Sequence, residues 1–160
     1  MSRATALRAA VRDKLYPHVQ AHGFAFSSEK HRLFTTFYRL VGPTLQVFDV
    51  QWDKHGRPRF VINFGEAPGN SVLHQGASIP ADMVLVPNCK PALRLQRRRG
   101  ASMSCWFQLR RPLMQQLFSL SREYTPEQVA DSVVEAFTEA EEWWGKKTKG
   151  PHVHGIDADA

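Results

Sequence analysis

Two stretches on either side of a short turn, "LQVFDVQWD" over residues 45–53 and "RFVINFG" over residues 59–65, alternate in character with a period of two. Successive side chains of a strand point to opposite faces, so Phe48, Val50 and Trp52 fall on one side and Val47, Asp49 and Gln51 on the other. Phe60, Ile62 and Phe64 repeat the aromatic pattern after the turn "KHGRP", with Val61, Asn63 and Gly65 opposite them. The preceding run "HRLFTTFYRLV", residues 31–41, is rich in β-branched and aromatic side chains and ends at the turn pair Gly42-Pro43. Three antiparallel strands with one aromatic face follow, and that face needs a cover.

Helices supply it. From Arg3 to His22, Leu7, Ala10, Val11, Leu15 and Val19 recur at helical spacing, and Gly23 closes the segment. Pro17 removes a backbone donor inside the last turns and predicts a kink or break near Tyr16. At the other end, "TPEQVADSVVEAFTEAEEWW" begins with Thr125 as N-cap, Pro126 at the first helical position and Gln128 three residues after the cap. Its buried stripe is Val129, Val133, Ala136, Phe137 and Ala140. "RPLMQQLFSL", residues 111–120, reads as a short amphipathic helix before it.

Two further strands are expected in "PALRLQRR" and "SMSCWFQLR", joined by Gly100-Ala101. Residues 66–90 form a long connection, a kind of segment more often functional or mobile than idle. The fold class is therefore α+β: an N-terminal helix, a mostly antiparallel sheet of about five strands, and two C-terminal helices packed on one sheet face. Residues 1–145 read as a single domain. The stretch "GKKTKGPHVHGIDADA" after Trp144 lacks apolar content, and residues 146–160 within it read as a disordered tail.

A chain of 160 residues, 42% hydrophobic, can bury a core without staples. Its two cysteines, Cys89 and Cys105, are too few for a disulfide framework and lack partners at metal-ligand spacing. Arg8, Arg12, Asp13 and Lys14 interrupt the apolar core that a signal peptide requires, and a cytoplasmic location is expected. Charge divides unevenly. Residues 1–111 hold 17 Lys and Arg against 6 Asp and Glu, whereas residues 112–160 hold 4 against 9. The acidic part either folds over a basic face or leaves it free for an anionic partner.

Several constellations have a plainer reading than the chemistry they suggest. "RLQRRRG" concentrates arginines, but alternation sends Arg94 and Arg98 to one face and Arg97 and Arg99 to the other. "RFVINFG" lacks the glycine of an RNA-recognition strand, and its aromatics belong to the face that the helices cover. His18 and His22 share a helix face without a third ligand at recognisable spacing, and they complement the helix dipole where they stand. Ser104 and Cys105 sit in no recognisable nucleophile motif. Asp49, Gln51 and Asn63, on neighbouring strands opposite the aromatic face, form the best polar group.

The order of segments carries a resemblance. "LYPHVQAHGFAF", "LFTTFYRLVGPTLQVFDVQWDKHG", "RFVINFGEAP", and then "RRRG" followed by "CWFQL", resemble the bacterial family catalogued as domain of unknown function 4304. Gln51, Asn63 with Gly65, Arg98 with Gly100, and Trp106 are the matching positions, within residues 7–145. Arg99 stands where that family has an aliphatic residue, and "GASMSCWF" lacks its acidic residue before the tryptophan. The resemblance implies an α+β domain and no particular activity. The leading expectation is a non-enzymatic, immunity- or adaptor-like module that binds an acidic protein partner. Its working surface would be an open polar sheet face and the long 66–90 loop, with Asp49, Gln51, Asn63, Arg94, Arg98 and Trp106 as contacts. Nucleic-acid binding through the basic residues of 1–111 is the alternative, and an enzyme on a small anionic substrate the third. No cofactor, metal site, catalytic residue or membrane contact is expected.

Overall fold

The computed structural model describes residues 1–69, 72–74, 76–112, 115–116 and 123–156. Helix α1, Arg3–Ala21, opens with Ser2 Oγ accepting from the Thr5 N–H at 3.1 Å. It buries Leu7, Ala10, Val11, Leu15 and Val19 along one stripe. Pro17 does not break it: the helix runs on to Ala21, and both Pro17 and Asp13, whose carbonyl loses its partner, are exposed to water. Gly23 follows with φ +87°, a left-handed conformation that ends the helix.

Strands β1 (Ala25–Phe26), β2 (Phe34–Val41), β3 (Thr44–Trp52) and β4 (Arg59–Pro68) come next. The two-residue turn Gly42-Pro43 fixes the β2–β3 register at Val41 opposite Thr44, which places Thr36 opposite Asp49. Beyond β4 lie a small hairpin, β5 (Val72–His74) with β6 (Ala77–Ile79), and two single turns of 3₁₀ helix at Ala81–Met83 and Val86–Asn88. Then come β7 (Ala92–Leu95), β8 (Phe107–Gln108), helix α2 (Pro126–Lys146) and β9 (Val153–Gly155). The main sheet has the order β1-β2-β3-β4-β7-β9, antiparallel throughout, and β8 also pairs with β4.

Three expectations about this architecture are corrected. Among the described residues the main sheet has seven strands rather than about five. The expected hairpin of 91–98 with 102–110 does not form, because β7 and β8 both pair with β4, at Ile62–Gly65 and at Arg59–Phe60. β7 stops at Leu95 because the fully buried Gln96 turns its amide onto the carbonyls of Arg98 and Gly100, curling the chain into a loop. The segment after Lys146 also does more than the composition suggests: β9 pairs with β7, and Val153 is completely buried. One apolar side chain, a strand edge in need of partners and the contacts of His152 with Glu139 hold it there. The expected helix over 111–120 lies largely outside the described residues.

Helix α2 opens with the expected capping box: Thr125 Oγ1 accepts from the Gln128 N–H at 3.2 Å, and Gln128 Oε1 from the Thr125 N–H at 3.0 Å. It packs against α1, and the two helices cover the aromatic face of the sheet. Phe48 meets Phe37, Phe24 and Phe137 at ring separations of 4.8–5.0 Å, while Phe64 packs against Trp143 and Trp144. The Trp144 indole N–H reaches the Gly65 carbonyl at 3.0 Å, pinning the end of the helix to the centre of β4. The acidic C-terminal part does fold onto the basic remainder. Asp131 pairs with Lys14 and Glu141 with Arg39, each at 2.5 Å, and Glu123 pairs with Arg3. No helix among the described residues is long and apolar enough to cross a membrane.

Candidate functional site

The face of the sheet turned away from the helices carries one polar row. Register aligns Thr36, Asp49, Asn63, Arg94 and His154 across β2, β3, β4, β7 and β9. The next row, Tyr38, Val47, Gly65 and Ala92, is apolar and lies beneath the 66–90 segment. There Val72, Val84, Val86 and Cys89 close a second, smaller core with Leu45, Val47 and Ala67. Gly65 permits this approach: a Cβ at that position would lie 2.6 Å from Cys89 Cβ and 2.8 Å from the Pro91 carbonyl oxygen. The expectation of an open sheet face is thus corrected. Half of the face is roofed, and Asp49 and Asn63 are only 4% and 5% exposed.

Where the roof ends a cavity of about 600 Å³ remains. Asp49, Gln51, Asn63 and Arg94 form its floor, and Phe34, Leu85, Val86, Pro87 and Ile156 supply apolar walls. Glu29, Lys30 and His31, from the connection between β1 and β2, stand at its rim. The volume falls within the range of small-molecule sites, and apolar walls over a few convergent polar groups are the usual composition of such sites.

The floor is a wired network. Asn63 Nδ2 donates to Asp49 Oδ1 at 2.8 Å and to Gln51 Oε1 at 2.9 Å, while Asn63 Oδ1 accepts from Arg94 Nε at 2.9 Å. A carboxyl on one side and a guanidinium N–H on the other leave the Asn63 amide a single sensible orientation. Asp49 and Arg94 stand two strands apart, about 10 Å at ordinary strand spacing, so Asn63 links them in place of a direct ion pair. Burial raises the Asp49 carboxyl to about 7, against the opposing pull of the Asn63 hydrogen bond and the Arg94 charge. A group that changes charge near neutral pH therefore lies at the bottom of the cavity. Burial also lowers the Arg94 pKa, opposed by the Asp49 charge.

Of the side chains singled out in the sequence, Asp49, Gln51, Asn63 and Arg94 converge here, whereas Arg98 and Trp106 lie outside the cavity lining. Arg98 donates to Ser104 Oγ at 3.3 Å within the loop that follows β7. The buried Trp106 ring has the guanidinium carbons of Arg59 and Arg94 at 5.5 and 5.9 Å from its centroid, so it supports Arg94 from the side. The 66–90 segment, expected at the working surface, supplies Leu85, Val86 and Pro87, whereas Thr36, Phe34 and Ile156 were not anticipated. Thr36 was accessible through the Gly42-Pro43 turn, which dictates its pairing with Asp49; Ile156 left no signal at all.

Other candidates resolve into structure. The His18 and His22 rings lie 4.5 Å apart, tilted by 42°, and His22 Nδ1 lies 2.8 Å from the His18 carbonyl oxygen at the helix end. Among the described residues no group of three His, Cys, Asp or Glu side chains is placed to hold a metal ion. Burial and the nearby carboxylates push the Cys89 thiol up to about 12, far from a nucleophilic thiolate. No protein-family model, curated protein or solved structure matches the chain, so the site rests on its own geometry.

Proposed function

We propose that this protein is a non-enzymatic binding domain that takes a compact, partly apolar ligand into the cavity above Asp49, Gln51, Asn63 and Arg94. The observation that carries this reading is the combination of a buried, hydrogen-bonded polar floor with apolar walls and an open mouth. A polar row of this kind would be costly beneath a closed apolar roof, and it gains a purpose as the recognition surface of a pocket. A thermal-shift screen of small fragments tests it, run in parallel on the wild type and on Leu85→Trp, which places a bulky ring at the mouth. The reading expects fragments that stabilise the wild type by mass action and lose that effect in the variant. Equal stabilisation of both proteins would reject it.

A second reading, binding of a protein partner, draws support from the exposed apolar side chains around the mouth. Leu85 and Ile156 are 39% and 43% exposed, and Met83 lies nearby in sequence. A partner covering them could seat a side chain in the same cavity. Nucleic-acid binding draws less support. Arg97 spends its guanidinium on the carbonyls of Arg110 and Ser104, and Arg3, Lys14 and Arg39 are paired with carboxylates.

A further inference from the structure

The cavity's polar groups are specific enough to name a ligand class, on the premise that the cavity is the working site. Arg94 commits Nε to Asn63, and its Nη2 reaches Gln51 Oε1 only at 3.5 Å. Its Nη1 meets no acceptor among the described residues. Gln51 Oε1 is occupied by Asn63, which leaves the Gln51 Nε2 donor for an incoming group. The floor therefore presents donors, and one permanent positive charge, to whatever enters.

We infer that the cavity takes a monocarboxylate with an apolar body, its carboxylate bound by Arg94 and Gln51 and a proton retained on the neighbouring Asp49. Charge balance selects the monoanion. One guanidinium neutralises one negative charge, whereas a phosphate dianion would leave an uncompensated charge among Phe34, Leu85, Val86 and Pro87. Two carboxylates cannot share such a site unless one is protonated, and the protonated Asp49 then donates to the ligand. Among the described residues the other charged or titratable groups around Asp49 are few. Arg94 faces it from β7, Cys89 approaches from the roof as a neutral thiol, and Glu29, Lys30 and His31 stand at the rim. His154 lies in the same row beyond Arg94. Burial raises Asp49 to about 7, so its protonated form is available at neutral pH.

Three probes with a common body separate the possibilities: phenylacetate, phenylacetamide and 2-phenylethylamine, each titrated calorimetrically into the full chain. The inference expects phenylacetate to bind most tightly, and about tenfold more tightly near pH 6 than near pH 8, the limit for binding that requires one proton on a group titrating near 7. Arg94→Gln should abolish the preference for the acid over the amide. Asp49→Asn should flatten the pH dependence, and the wild-type comparison between the two pH values stands even where a variant fails to fold. Tighter binding of the amide or the amine would overturn the carboxylate assignment while leaving the cavity as a binding site. Absence of binding by all three at about 10 mM, weaker than roughly 3 kcal/mol of affinity, would overturn both.

Discussion

Asn63 Nδ2 donates to Asp49 Oδ1 at 2.8 Å, and through that bond a carboxyl that is 4% exposed is joined to the guanidinium of Arg94, one strand further on. The link softens the burial of Asp49 without abolishing its effect, since the carboxyl still titrates near 7. A site that only needed stability would bury an apolar side chain here. Apolar replacement of buried charged pairs is often neutral or stabilising, so a titratable group at this position agrees with a binding role.

The first prediction concerns pH. The folded-state value of Asp49 lies above its ordinary 3.8, so between about pH 4 and pH 7 the folded state holds the proton that the unfolded state releases. Stability from this group is present at low pH and falls as pH rises through 7. The full effect is on the order of 4 kcal/mol. Asp49→Asn removes it, and chemical denaturation should show the variant gaining on the wild type as pH increases. A constant difference between the two across the window would contradict the assignment.

Asp53 behaves oppositely. Burial alone would raise its carboxyl, but bonds from the Arg59 side chain and from the His55 and Arg57 N–H groups outweigh that and lower it. Its stabilisation is present above the ordinary carboxylate range and is lost as pH falls through its lower folded value. Asp53→Ala leaves Arg59 half-buried without its 2.6 Å partner at the β3–β4 turn and should cost about 3 kcal/mol near neutral pH. Urea denaturation measures this directly.

Gly65→Ala should be disproportionately harmful for a strand position. Its backbone conformation suits any residue, yet the added methyl meets Cys89 Cβ at 2.6 Å and the Pro91 carbonyl at 2.8 Å. The roof must lift, and the loss should reach roughly 2 kcal/mol, comparable to other overpacked cores. Faster hydrogen exchange at residues 84–95 would locate the damage.

Val153→Ala separates a docked strand from a loose tail. Val153 is fully buried against the core and pairs with Leu95, so truncation should cost about 2 kcal/mol. An unstructured tail would lose nothing measurable in the same thermal-denaturation experiment.

The helix-covered half of this molecule was legible because its signals are local. Alternation from Phe48 to Trp52 and from Phe60 to Phe64 sets the aromatic face, and Thr125 with Gln128 announces α2. The other half depends on contacts distant in sequence. Gly65 reads as a weak strand residue until Cys89 is seen resting on it, and β7 ends where Gln96 finds carbonyls that only the folded loop presents. Val153 sits in a polar stretch whose average composition hides one buried side chain. The site divides along the same line. Asp49, Gln51 and Asn63 were recognisable as a group on neighbouring strands, while their burial beneath the 66–90 segment was invisible without the tertiary structure.

The cavity over Asp49, Asn63 and Arg94 is proposed as the working site. An amide chemical-shift map of the isotopically labelled protein, titrated with phenylacetate near pH 6, tests it most directly. Saturable shifts are expected at residues 34–36, 49–51, 63, 85–87 and 94, with the helix-covered face unmoved. Saturable shifts centred on α1, α2 or the loop after β7, or no saturable shifts anywhere, would contradict it.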